Sequence, residues 1–453
     1  MRRILLIISV FCTIVTIGCK RETSVNHTDV QVTQVSGEQS GAWSGEVHII
    51  GDVVVPKEEA LQIVAGTKVI SDGYFGISVY GDLTAIGQQN SRITFTVADT
   101  TGYADFENNE AGAWRGIYFS KPGMVKFDYC DFSYGKTPRD ADGGMFYVEF
   151  ARNMEISNCR FHHNTARRKG AAIYAENSTM NIHDSEVYDN FTVGSEGSYT
   201  WGVGFQFLKC QLDIHDMVFH HNHGESAYGG GMNIDSCNMV LRNAVFYDNE
   251  AVNAAGLGIQ RCKGYSVKVS NMLAYNNSVV HYGGGLAMAT SDPELNNLTI
   301  VNNYCGGGGG AGMQMAFEAE PTLNNCIFWG NHAVYYTEDK NVKDTVEYYI
   351  GSQIWLWGSD CSPIFNNGVV QYGLDSINGY YLILPDHYNS MLEVNPLFIN
   401  EQNRNYRLSG NSPCIDAGIN TPGMFIPDTD LAGNPRIFGG RIDMGCYEWQ
   451  GNK

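Results

Sequence analysis

Glu149 and Glu176 stand 27 residues apart, and each follows a tyrosine by two positions, Tyr147 and Tyr174. Were these positions neighbours in successive windings of the chain, the two carboxylates would lie about 5 Å apart between backbones. That is the separation at which retaining glycosidases set a nucleophile beside an acid. Carboxylates held so close also raise one another's proton affinity, or share a cation such as calcium. The neighbouring tyrosines offer what a sugar ring needs, an apolar platform for its C–H face and partners for its hydroxyls. The opposing reading is that two glutamates on a solvated strand splay apart and do nothing.

Only a repeat could place such residues together, and the sequence has one. Its first part reads FHHN at Phe161 to Asn164, and its counterparts end at Asn190, Asn222, Asn249, Asn277, Asn303 and Asn331, with spacings of 26, 32, 27, 28, 26 and 28. Its second part is a small-residue cluster, as in Gly143-Gly144, Gly170-Ala171-Ala172 and Gly229-Gly230-Gly231, leading into a short apolar strand. A fixed period in this range means stacked units that cannot bury their apolar faces alone. Met232-Asn233-Ile234-Asp235 and Met180-Asn181-Ile182-His183 alternate with the period of a strand, and the FxxN phrase supplies a third. No helical period reads through. The expected fold is therefore all-β, a parallel β-helix with three strands per coil.

Aligned units give vertical columns. Phe146, Ile173, Phe205, Met232, Leu257, Leu286, Met313 and Ile354 face inward, with Val148, Ala175, Phe207, Ile234, Ile259, Met288, Met315 and Leu356 beside them. One outward column runs Tyr147, Tyr174, Gln206, Asn233, Gly258, Ala287, Gln314, Trp355; the next runs Glu149, Glu176, Leu208, Asp235, Gln260, Ala289, Ala316, Trp357. Tyr147, Tyr174, Gln206, Asn233, Asp235, Trp355 and Trp357 are thereby candidate ligand-binding residues, and the loops Phe191 to Tyr199 and Ala333 to Tyr349 could wall a groove beside them. A third column, Asn158, Asp184, Asp216, Asn243, Asn271, Asn297, Asn325 and Asn367, suits sharp bends, and both asparagine columns suit ladders of amide hydrogen bonds.

Trp43-Ser44-Gly45 through Val55-Pro56, Ile63-Val64-Ala65-Gly66-Thr67 and Trp114-Arg115-Gly116-Ile117 resemble the opening of right-handed parallel β-helix proteins of the pectin-lyase-like superfamily. The alternation of glycine cluster and FxxN is similar to that of polymorphic outer membrane proteins. The tail, with Asn395-Pro396-Leu397-Phe398, Ser412-Pro413-Cys414-Ile415-Asp416-Ala417-Gly418, Asp430-Leu431-Ala432-Gly433-Asn434-Pro435-Arg436 and Asp443-Met444-Gly445-Cys446-Tyr447-Glu448, resembles a choice-of-anchor Q segment. These resemblances imply a right-handed coil. They leave chemistry open, because the superfamily holds lyases, hydrolases, epimerases, adhesins and proteins without activity. The expected division is a signal at 1–19, a polar tether at 20–41, capping coils at 42–127, regular coils at 128–372 and an irregular cap over the far end at 373–453.

Arg2 and Arg3 precede an apolar run from Ile4 to Ile17 that ends at Gly18-Cys19, the layout of an export signal. Thr16-Ile17-Gly18-Cys19 resembles a bacterial lipoprotein cleavage box, which implies lipidation of Cys19 and display on the outer membrane at the cell surface; a monomer is expected. The formal charge is −19. Such a surface repels phosphate backbones, which excludes nucleic acid as a partner. An acidic polysaccharide would need a basic patch, and Arg167-Arg168-Lys169 with Arg139 and Arg152 is the visible candidate.

Cys210, Cys237 and Cys262 share one column and Cys130, Cys159 and Cys326 another, where parallel side chains suit buried thiols better than disulfides. Pairing of Cys414 with Cys446 stays open. His183 and His215 share an outward column and could bridge a metal, but such residues read more simply as surface polar groups, as do His162-His163 and His220-His221. No metal site and no cofactor is required, calcium being the one candidate ion. The leading expectation is a non-catalytic, adhesin-like protein binding a surface glycan or polysaccharide. The competing one is a polysaccharide lyase or glycoside hydrolase with Glu149 and Glu176 as its carboxylates and Arg152 or Arg168 as substrate-charge partners.

Overall fold

The computed structural model describes residues 32–451 apart from 106, 107, 109, 138–140, 195–198, 335–351, 359 and 380–386. The strands after the glycine clusters pair in parallel in the register that the repeat dictates: Phe146–Glu149 on Ile173–Glu176, then Phe205–Leu208, Met232–Asp235, Leu257–Gln260, Leu286–Ala289, Met313–Ala316 and Ile354–Trp357. Ile77–Val79 and Ile117–Ser120 extend the same ladder upstream. Downstream, Ile377–Gly379 and Tyr388–Leu392 still pair with the preceding coil, so the coils run on past residue 372. At the other end Val32–Glu38 pairs with Glu46–Val55, which makes part of the segment 20–41 a strand rather than a tether. Residues 1–31, with Cys19, lie outside the described residues.

The second and third strands of a coil often run together. Thr179–Tyr188, Gln211–His220, Asn238–Tyr247 and Val267–Tyr275 each turn a corner where Asp184, Asp216, Asn243 and Asn271 take φ of 50, 53, 53 and 53°. Asn and Asp tolerate this left-handed backbone better than other side chains. A further set of short strands, from Thr165–Ala166 through Phe191–Thr192 and His223–Gly224 to His332–Ala333, forms its own parallel sheet between the FxxN phrase and the glycine cluster. Segments of two residues are too short for any alternation to show in sequence.

Both asparagine columns carry side-chain ladders. Corner residues also take the left-handed backbone, and there Asn243 donates to Asp216 at 3.1 Å, Asn271 to Asn243 at 2.9 Å and Asn325 to Asn297 at 3.4 Å. The FxxN asparagines are buried, and each Nδ2 donates to the Oδ1 of the next copy: Asn164 to Asn190, Asn190 to Asn222, Asn222 to Asn249 and Asn249 to Asn277 at 2.9 Å, then Asn277 to Asn303 at 3.0 Å and Asn303 to Asn331 at 2.9 Å. Gln353 accepts from Asn331 at 2.7 Å and ends the run. Inside, phenylalanines stack from coil to coil, as Phe95 on Phe132 and Phe132 on Phe161 with centroids 4.8 Å apart. The ten described cysteines, Cys414 and Cys446 included, are free thiols. Burial pushes Cys262, Cys326, Cys414 and Cys446 up to about 12, as befits inert apolar fillers.

Instead of sitting over the end of the stack, the tail lies lengthwise on its flank. Phe398, Tyr406, Leu408, Cys414, Met444 and Cys446 pack on Leu273, Val301, Ile327 and Val369, outward residues whose apolar stripe needs cover. Corner asparagines hold it there: Asn271 Nδ2 donates to Thr429 O at 2.7 Å, Asn297 to Asp443 O at 2.9 Å, Asn325 to Ile419 O at 2.8 Å and Asn367 to Ala417 O at 3.3 Å. Arg404 reaches back to Asp248 at 2.6 Å. With little regular structure of its own, the tail satisfies its backbone through carboxylates: Asp430 accepts from the amides of Ala432, Asn434 and Glu448, and Asp443 from those of Asp416 and Trp449. Its Asp- and Glu-rich phrases are thus structural.

Candidate functional site

The outward tyrosines form a run. Tyr118, one coil before the aligned columns begin, lies 5.4 Å from Tyr147 between centroids, and Tyr147 lies 5.2 Å from Tyr174. Their hydroxyls engage the candidate carboxylates. Glu149 accepts from Tyr118 at 2.5 Å and from Ser120 at 2.6 Å; Glu176 accepts from Tyr174 at 3.1 Å and from Tyr147 at 3.5 Å. The register places Glu149 beside Glu176, as the sequence requires. Burial, with the nearby glutamates, pushes Tyr147 up to about 12 and raises Tyr118 and Tyr174. These phenols stay neutral donors near pH 7, which suits binding and disfavours a tyrosinate base.

Beside Tyr118 and Tyr147 opens a cleft of about 400 Å³, walled also by Asp52, Ser78, Arg115, Thr137 and Asp142. Arg115 pairs with Asp52. Asp142 draws Lys169 to 3.2 Å and Arg168 to 3.9 Å, and Lys169 lies over the Tyr174 ring at 5.2 Å. Arg168 is therefore near the cleft but already faces a carboxylate. Arg152 lines a different groove, with Phe150, Lys209 and Tyr265, and Arg139 is outside the described residues. A wider concavity of about 750 Å³, lined by His223, Glu250, His281 and Tyr304, lies away from the tyrosine run.

Three other residues of the outward columns are enclosed. Gln206, Asn233 and Asp235 are 3%, 0% and 6% exposed. Asn233 Nδ2 donates to Gln206 Oε1 at 2.9 Å, Gln206 Nε2 to Phe207 O at 3.0 Å, and Asp235 pairs with Arg261. The first glycine of a cluster is left-handed, φ 75° at Gly143, 60° at Gly170 and 83° at Gly229, and brings the preceding chain close to its own strand in each of these coils. A Cβ on Gly229 would stand 2.6 Å from Asn233 Cβ. These three are thus structural, a correction to the expected ligand surface. Trp355 and Trp357 are six coil steps beyond Tyr174, about 29 Å at the strand spacing, too far to share a site with it. Of the two loops expected to wall a groove, 195–198 and 335–351 lie outside the described residues.

Tyr118, Ser120, Arg115, Asp142 and Lys169 belong to the site but escaped the aligned columns. The phrase Arg115-Gly116-Ile117-Tyr118 has the small-residue-then-strand form of the later coils, but the following Phe132-Ser133-Tyr134-Gly135 lacks the asparagine of FxxN, so the spacing hides it.

Residues 61–278 match a family model described as right handed beta helix region. With the long parallel sheet this establishes the class: an all-β, right-handed parallel β-helix. No curated protein matches the chain.

Proposed function

We propose that this chain is an exported, lipid-anchored β-helix of the bacterial envelope, displayed on the outer membrane, that binds a glycan without cleaving it. The observation that carries the binding reading is the pair Tyr118 and Tyr147, with the buried Tyr174 packed beside Tyr147, along a cleft that also offers Asp142, Thr137 and Arg115 to hydroxyl groups. The export signal ending at Cys19 and the likeness of the tail to an anchor segment support the location. No described helix is long and apolar enough to cross a membrane. Both glutamates accept hydrogen bonds from neighbouring hydroxyls, which favours a fixed binding wall over a mobile acid and nucleophile.

One observation favours a second reading, a polysaccharide lyase or glycoside hydrolase: the in-register pair Glu149 and Glu176. Mature protein incubated with neutral and uronate polysaccharides, with and without calcium, separates the two. Binding without new reducing ends, lost in Tyr118→Ala and Tyr147→Ala but kept in Trp355→Ala, is expected. Release of reducing ends or unsaturated products that disappears in Glu149→Gln would replace the binding reading with the enzymatic one.

A further inference from the structure

Outside the tyrosine run, the flank of two consecutive coils carries a group that the binding function does not use. His183 and His215 are register partners on successive strands. Their imidazoles stack 4.7 Å apart and 5° from parallel. Each Nδ1 lies 2.7 Å from the carboxylate of the next residue, His183 from Asp184 and His215 from Asp216. Those carboxylates sit at the left-handed corner, φ 50 and 53°, which turns them back onto the rings. Among the described residues, His183, Asp184 and His215 are the one group of three His, Cys, Asp or Glu whose donor atoms all lie within 4.8 Å of one another.

We infer that His183 and His215, each backed by the aspartate that follows it, form a surface site for a borderline divalent cation of the Zn²⁺ or Cu²⁺ type. A carboxylate on Nδ1 holds the proton there and leaves Nε2 as the free lone pair, the arrangement that orients histidine ligands at metal centres. Two imidazoles bound to one cation at about 2.1 Å each need their nitrogens about 3.4 Å apart at the tetrahedral angle. The rings, parallel with centroids 4.7 Å apart, must tilt out of their stack so that both lone pairs converge on the ion, along a χ2 torsion that is soft for histidine. Side-chain exposures of 20% and 19% leave the outer coordination positions to water. Asp184 and Asp216 bias the site toward a cation, and the next residue of the column, Arg242, is drawn off to Asp213 at 2.7 Å. The imidazole pair selects against calcium, which takes oxygen ligands. The vicinal pairs differ: His162 faces His163 with Nδ1 atoms 3.0 Å apart, and His220 faces His221 at 2.7 Å, each pair closed on itself by a hydrogen bond.

The test is titration of chelator-stripped mature protein with Zn²⁺ against a chromophoric competitor, with Cu²⁺ electron paramagnetic resonance on the same protein. Expected are one tight equivalent, nitrogen hyperfine structure from two imidazoles, and a loss of affinity of roughly tenfold or more in His183→Gln and in His215→Gln. His220→Gln/His221→Gln should bind as the parent does. No binding, binding that survives His183→Gln/His215→Gln, or a preference for Ca²⁺ would overturn the site. The resonance spectrum of the parent protein tests the ligand set without any substitution, and circular dichroism checks that each variant is folded.

Discussion

Replacing Asn222 by alanine tests whether the buried amide ladder holds the coils in register. Asn222 Nδ2 donates to Val187 O and to Asn249 Oδ1, both at 2.9 Å, and its Oδ1 accepts from Asn190 Nδ2 at 2.9 Å and from the Asn190 amide at 3.3 Å. Alanine removes all four. A buried amide left without an acceptor costs ~1–3 kcal/mol, and each of the other three bonds contributes ~0.5–1.5 kcal/mol, so the expected loss is about 3–7 kcal/mol. At the corner, Asn243 makes two less enclosed bonds, to Asp216 and from Asn271, and its left-handed φ adds a penalty for alanine of ~1–2 kcal/mol. The two positions are distinguished by glycine. Asn243→Gly should recover stability relative to Asn243→Ala, because glycine accepts φ 53° freely; Asn222→Gly should recover none, since the side-chain bonds are what is missing. Urea unfolding followed by tryptophan fluorescence gives the losses, and hydrogen exchange at the Asn190 amide localises the first. A loss at Asn222→Ala under 1 kcal/mol, or its rescue by glycine, would refute the ladder as a stabilising device.

Asn325 grips the tail from both sides, donating to Ile419 O at 2.8 Å and accepting from Ile419 N at 2.7 Å, so Asn325→Ala should expose the tail near Ile419 to protease while the coils stay intact, as peptide mapping would show. The tail should also respond to pH. Burial pushes Glu448 up to about 7 from its ordinary 4.5, against the pull of Arg436 and of the Asp443 and Phe438 amides, and Asp443 is raised for the same reason, with Asp430 nearby. A carboxyl that holds its proton longer when folded is most stabilising below about 4.5 and loses that contribution as pH rises to about 7. Hydrogen exchange of residues 430–448 should therefore quicken across that interval, and Glu448→Gln should flatten the response; protection that instead strengthens as pH rises would contradict the assignment.

Register was set by the repeat. Once a phrase recurs every 26 to 32 residues and can only be buried by stacking, Phe146 must stand on Ile173, Tyr147 on Tyr174 and Glu149 on Glu176, and the paired strands place them so. It also fixed the corner asparagines and the buried thiols, because each is a property of one residue type repeated at one place in the coil. What it could not fix is how the chain between the strands closes. Gln206, Asn233 and Tyr174 are enclosed while Tyr147 stays half-buried, and alternation alone gives all four the same outward pattern. The extent of the site was hidden likewise, since Tyr118 and Asp142 reach it through a coil and a loop outside the regular spacing. Only tertiary structure laid the tail on the flank: the apolar column Leu273, Ile327 and Val369 could be seen in the strand pattern, but what covers it depends on contacts between residues more than a hundred positions apart, as in Asn271 with Thr429. Periodicity dictates neighbours along the stack, while burial across its surface is decided by segments that carry no period.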